Sequence, residues 1–147
     1  KWLKKHLLIA HSGISHKSGD IQNRVWSRYD EGDAQVIEGL KAIRLSSRTM
    51  VDALQRDQRQ LVVEALNEVC RGIDLIDPSI HDPFRSVIDP LLSSGAVMAW
   101  KALGAGAGGC AALLCNPMQV SSVRSDIERL GWEIIDWNFE EEGVAIC

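Results

Sequence analysis

The 147-residue chain has 16 lysines and arginines against 20 aspartates and glutamates, for a net charge of −4, and 46% of its residues are hydrophobic. That fits one cytoplasmic-type folded domain, long enough to bury roughly 68–70% of its unfolded surface. Its cations are scattered rather than striped, which excludes nucleic acid as the main partner, and no apolar run approaches the ~20 residues of a membrane span.

Leu7 to Ala10 is a short apolar run ending at Ser12-Gly13, and it reads as a buried strand followed by a turn. It is too short for a signal-peptide core. His6, His11 and His16 recur every five residues, a spacing that shares one face of neither a strand nor a helix, so no metal site is expected. Residues 12–33 are polar and weakly periodic, and they read as a loop with some helix. Asp30, Glu31 and Asp33 either solvate that loop or cap the long helix after it.

From Ala34 the pattern turns helical, with Val36, Ile37, Leu40, Ile43, Met50, Val51 and Leu54 in step. A second helix carries Leu61, Val62, Ala65, Leu66, Val69 and Ile73 on one face. Asp77-Pro78 and Asp82-Pro83 break the chain. A third helix then covers Phe84 to Leu92, with Pro90 in a distorted last turn and Asp82 at its start. Ala96 to Leu103 reads as a strand and is followed by the glycine turn Gly104-Ala105-Gly106-Ala107-Gly108-Gly109. Cys110 to Cys115 is another apolar run of strand length. Asn116-Pro117 opens a helix through Val120, Val123, Ile127 and Leu130, stopped by Gly131. Trp132 to Phe139 alternates as a last strand, and Glu140-Glu141-Glu142 is a solvated end. Trp2, Trp26, Trp132 and Trp137 read as packing residues. The four cysteines form no Cys-x-x-Cys pair and read as reduced thiols. This order of elements predicts an antiparallel or mixed sheet of about four strands covered by helices.

The glycine turn is the one chemically specific stretch. Gly104, Gly106 and Gly109 match G-x-G-x-x-G in letters, but a dinucleotide fold needs a helix to begin inside the glycines. Here a six-residue strand follows instead. No Gly-Lys-Ser/Thr follows either, which excludes a Walker loop. A glycine hairpin between two strands can reach positive φ, approach another backbone closely and form an anion-binding nest, or it can simply pack.

The stretch Lys101-Ala102-Leu103-Gly104-Ala105-Gly106-Ala107-Gly108-Gly109-Cys110 closely resembles the third conserved motif of the GHMP kinases, the galactokinase, homoserine kinase and mevalonate kinase family. Ser12-Gly13-Ile14-Ser15-His16-Lys17-Ser18 resembles the Thr-Gly-x-x-Arg-x-Ser stretch of that family's C-terminal domain, in its heptose- and fucose-kinase-like branch. The helices between the two motifs and the closing helix and strand fit the same domain.

The resemblance implies an α+β, ferredoxin-like C-terminal domain with an antiparallel sheet, spanning residues 1–147 as a single unit. It implies a partner in the chain's own N-terminal domain, which is absent here and would bind most of the ATP and Mg²⁺. Gly104, Ala105, Gly106, Ala107, Gly108 and Gly109 would lie beside that half's phosphate loop. Ser12, Gly13, His16, Trp100 and Lys101 would lie near a small-molecule substrate, a sugar or sugar phosphate. The family's Pro-x-x-x-Gly-Leu-Gly-Ser-Ser-Ala-type loop has no counterpart, Ser93-Ser94-Gly95 being too slight. No catalytic residue and no metal ligand are therefore expected in this chain, which alone should phosphorylate nothing.

Three departures stand out. His16 occupies the arginine position and is only partly charged near neutral pH. Leu103 stands where many members have threonine, and Ala99-Trp100 stands where small residues are usual. Trp100 either narrows a substrate pocket or packs in the core, and Lys101 either reaches a phosphate or faces outward. The competing reading of the whole chain is a free-standing module that binds a phosphorylated metabolite on the same fold.

Overall fold

The computed structural model describes residues 1–15 and 18–143. His16 and Cys147 lie outside them. Four strands, β1 (Leu7–His11), β2 (Val97–Ala102), β3 (Cys110–Cys115) and β4 (Glu133–Ile135), form one sheet in the order β2-β3-β1-β4. All three neighbouring pairs are antiparallel, so the long crossovers β1 to β2 and β3 to β4 flank a central hairpin, the ferredoxin-like arrangement. The register aligns Ala10 with Ala111 and Ala102 with Ala111, which brings the ends of β1 and β2 to the two sides of the glycine turn.

Strand β3 is buried on both faces because the sheet is covered on both. Ala111, Leu113 and Cys115 point to one side with Leu8, Ala10 and Trp100, and there they meet Phe84, Ile88, Val123, Ile127 and Trp132. Leu114 and Ala99 point to the other side and pack on Ala53, Val62 and Leu66. The helices are α1 (Trp2–His6), α2 (Ser18–Asp30), α3 (Ala34–Gln55), α4 (Arg59–Ile76), α5 (Asp82–Ser93) and α6 (Val120–Arg129), with a 3₁₀ turn at Pro78–Ile80.

Asp33 caps α3 by accepting from the amides of Gln35 and Val36. Helices α3 and α4 touch backbone to backbone. A Cβ on Gly39 would stand 2.5 Å from the Gly72 carbonyl oxygen, and one on Gly72 would stand 2.8 Å from that of Gly39.

The structure departs from the sequence reading at four places. The 12–33 stretch carries a full 13-residue helix, α2. Its core contacts rest on Ile21 and Val25, one turn apart, a stripe too narrow to register as a period among polar neighbours. Helix α6 begins at Val120 rather than at Pro117, because Asn116 first closes a turn, its Oδ1 accepting from the Met118 amide and its carbonyl from Gln119. The last strand pairs only over Glu133–Ile135. Trp26 is not a packing residue: it is 58% exposed and stands edge-on to Tyr29 at 5.9 Å. The other three tryptophans do pack. Trp132 is buried against Phe84, Trp137 donates from Nε1 to the Leu7 carbonyl, and Trp2 lies beside His6.

Candidate functional site

The hairpin begins where the Leu103 amide donates to the Cys110 carbonyl at 2.9 Å. From there the chain needs positive φ at Gly104 (66°), Gly106 (74°), Ala107 (59°), Gly108 (157°) and Gly109 (72°). Two contacts fix its course. The Ala107 amide donates to the Ile80 carbonyl at 2.8 Å, and a Cβ on Gly106 would collide with the Ile80 side chain and lie 2.9 Å from its carbonyl oxygen. Gly106 is thus a position of close backbone approach as well as positive φ.

The two motifs singled out in the sequence meet here. The Ser12 amide and hydroxyl both donate to the Gly109 carbonyl, at 2.8 and 2.9 Å. The Gly109 amide donates to the Ile14 carbonyl at 3.0 Å, and the Ile14 amide donates to the Ser12 hydroxyl at 3.2 Å. Gly13, at φ 74°, turns the chain between them. Among the described residues, nothing accepts from the amides of Gly104, Ala105, Gly106 or Gly108. Gly106 and Gly108 are buried and Gly104 is exposed, and an unpaired amide in such a glycine turn is a donor of the kind an anion takes.

Trp100 and Lys101 lie on β2, just before the hairpin. Trp100 is 2% exposed, with its ring 4.3 Å from His81 and 5.9 Å from Phe84, so it sits in the core. Lys101 is half-buried and folds back to donate to the Ala102 carbonyl at 2.7 Å, and burial holds its ammonium below the ordinary lysine value.

The sequence reading passed over the residues that hold the hairpin's support. The Ala102 amide, at the root of the hairpin, donates to Nε2 of the fully buried His81 at 3.2 Å. That bond places the imidazole proton on Nδ1, which donates to Asp74 at 2.9 Å. Arg85 donates to the same carboxylate at 2.8 Å. Burial holds the His81 pKa below its ordinary value, against the pull of Asp74, and the Arg85 and Lys101 charges add to the depression. On the other side of the 3₁₀ turn, Asp77 accepts from the Ser79 amide and hydroxyl and from two Arg24 nitrogens. Burial opposes ionisation of Asp77, but the Ser79 and Arg24 hydrogen bonds prevail and hold its carboxyl below the ordinary range. The visible signal was the pair of Asp-Pro steps flanking His81. Reading them as chain breaks alone hid the fact that the residue between them is a buried strut.

Cys70, Asp74 and His81 bring one donor atom each within 4.8 Å of one another. They do not fit a metal ion. His81 Nε2 accepts from the Ala102 amide, which leaves the imidazole proton on Nδ1, the nitrogen facing Cys70 and Asp74 that would have to lose it to hold a metal. The cluster functions as hydrogen-bonded packing between α4 and the hairpin root.

No family model and no curated protein matches the sequence. Solved structures do match the fold. The chain is similar to a Lin0012 protein from Listeria innocua with a TM-score of 0.79 at 13% identity, over 90% of this chain and 38% of that one. Streptococcus pneumoniae phosphomevalonate kinase in complex with phosphomevalonate and AMPPNP matches with a TM-score of 0.71 at 15% identity, over 88% and 38%. A putative sugar kinase from Campylobacter jejuni matches with 0.64 at 19%, over 96% and 38%. At such identities the likeness is one of fold: an α+β, ferredoxin-like domain that makes up part of each neighbour. The chain spans less than two-fifths of these neighbours' length. Among the described residues, no helix is long and apolar enough to cross a membrane.

Proposed function

We propose that the chain is the C-terminal domain of an ATP-dependent small-molecule kinase and that it contributes the Gly104–Gly109 hairpin to a phosphoryl-transfer site. The observation that carries this reading is the junction of the hairpin with the Ser12–Ile14 loop. Among the described residues it leaves four amides without an acceptor, on a fold shared with kinases. Phosphoryl transfer is mostly positioning and electrostatic stabilisation, and fixed backbone amides supply part of both without reorganising.

In this reading residues 1–147 form one domain of a cytoplasmic enzyme. ATP and Mg²⁺ are held mainly by an N-terminal domain that packs over the hairpin. Ser12 and Gly13 shape the substrate side, and the chain supplies no catalytic acid or base of its own. The acceptor is an alcohol on a small molecule, and a sugar hydroxyl is the class that the residue 12–18 resemblance implies. The neighbouring complex with phosphomevalonate and AMPPNP supports a nucleotide-dependent reaction on a small molecule.

The test is to express the coding region together with whatever precedes Lys1 and to follow ADP release over a panel of sugars, sugar phosphates and other small alcohols. Acceptor-dependent ADP release that is lost with Gly106→Val supports the reading. Tight ATP binding by residues 1–147 alone would overturn the claim that the main phosphate site lies elsewhere.

A further inference from the structure

Beside the hairpin lies a cavity of about 350 Å³ between α2, the end of α4 and the 3₁₀ turn. That is at the small end of the range for ligand sites, roughly 300–1,000 Å³. Ile21 and Val25 from α2, Ile73 and Ile76 from α4, and Ile80 form its walls, and the exposed Trp26 stands at its mouth. Among the described residues no charged side chain lines it, and Gln22 and the indole nitrogen of Trp26 are its polar side-chain groups. Gly104 and Ala105, whose amides have no acceptor among the described residues, also line it.

We infer that this cavity seats the acceptor of the proposed reaction, and that the acceptor, against the sugar class that the residue 12–18 resemblance implies, is a small molecule with an apolar body and one polar end rather than a polyhydroxylated sugar. The inference rests on the kinase reading for its purpose but not for its chemistry. A hydroxyl pressed against these aliphatic walls loses its water and finds no partner, whereas an apolar ring or branched chain fills them at no such cost. The polar groups open to such an end are Gln22 and the backbone of Gly104 and Ala105 at the hairpin. That places the group to be phosphorylated where the chain can offer hydrogen-bond donors and its body where it cannot. Trp26 fits this layout. A large aromatic more than half exposed on a helix otherwise packed by Ile21 and Val25 gains burial when an apolar body enters the cavity that it lines.

Cyclohexanol and myo-inositol make a matched pair, the same carbocycle with one hydroxyl and with six. Each is titrated into the full-length protein while the isoleucine and valine methyl resonances are followed by NMR. The expected result is that cyclohexanol shifts the methyls of Ile21, Val25, Ile73, Ile76 and Ile80, with an apparent affinity at least about tenfold above that of myo-inositol. Trp26→Ala, at an exposed position where folding is not at stake, weakens cyclohexanol by several-fold, and Val25→Trp, which fills the cavity, abolishes its shifts. Three results would overturn the inference: equal or tighter binding of myo-inositol at these methyls, no methyl shift with cyclohexanol, or cyclohexanol shifts that persist in both variants. The titration contains no nucleotide, so its outcome is separate from that of the ADP-release assay. Apolar binding by a protein that releases no ADP with any acceptor in the panel would leave an apolar-ligand cavity and overturn its assignment to an acceptor.

Discussion

The amide of Ala107 donates to the carbonyl of Ile80 across 2.8 Å while Ala107 holds a φ of 59°. A non-glycine residue in left-handed backbone is uncommon and is held only where its surroundings enforce it. Here the enforcing contact is the 3₁₀ turn beneath, and Gly106 lets the two backbones approach. Gly106→Ala meets both obstacles at once, φ 74° and the Ile80 carbonyl at 2.9 Å. A loss of about 1–3 kcal/mol is expected, to be read from the urea midpoint at unchanged m-value. Gly104→Ala shares the positive φ but meets nothing within 4 Å. It should cost less, and equal losses would count against the close-approach argument.

His81 makes stability depend on pH in a defined window. Its folded pKa lies below the ordinary 6.5 because burial disfavours the imidazolium. Below 6.5 the unfolded chain takes up a proton that the folded chain refuses, so stability falls as the pH drops toward the folded value. Above 6.5 the residue contributes no slope. The groups around it are Asp74 and Cys70 from α4, Arg85 from α5 and Lys101 from β2. Unfolding free energy measured between pH 7.5 and 5 should decline by at most about 1.4 kcal/mol per pH unit in that window. His81→Gln, which can still accept from Ala102, should flatten the decline while lowering stability at neutral pH.

Much of this architecture is legible in the sequence because it comes from period and punctuation. The apolar faces of α3 and α4, the strand-length runs on either side of the glycines and the Asp33 cap all announce themselves locally. The ferredoxin-like sheet followed from resemblance and not from periodicity, since nothing in Leu7–Ala10 says that it will pair with both β3 and β4. What stayed hidden depends on contacts between distant segments. Helix α2 is specified by two buried side chains, and its identity as a helix is settled by the core that it meets. His81 is an ordinary histidine until the hairpin root supplies an amide to its Nε2. Trp26 looked like core on composition, and only the placement of α2 leaves it at the mouth of a cavity.

The crossing of α3 and α4 was equally silent. Gly39 and Gly72 face each other, each within contact of the other's carbonyl. Gly39→Ala and Gly72→Ala each insert a methyl where backbone already stands, and the helices must separate along their length. Each should cost about 1–3 kcal/mol despite the higher helix propensity of alanine. Because the two sites share one contact, the double variant should cost less than the sum. Thermal unfolding of the three variants checks this, and full additivity would mean that the helices had not been separated by the first substitution.

Asp77 tests whether the turn beneath the hairpin controls the hairpin itself. It caps the 3₁₀ turn through Ser79 and ties it to α2 through Arg24, at 2.9 Å. The turn in turn receives the Ala107 amide. Asp77→Ala removes the cap and leaves Arg24 without this partner, for an expected loss of about 1–2 kcal/mol. Asp33→Ala removes a comparable cap from α3, where Asp33 also pairs with Arg28 rather than with the turn. Hydrogen exchange at the Ala107 amide separates the two. Local opening of the turn should speed exchange there in the Asp77 variant well beyond its change in global stability, while the Asp33 variant should show only the global change. If both variants speed Ala107 in proportion to their unfolding free energies alone, the hairpin opens only with the whole domain, and the Asp77 tether does not position it.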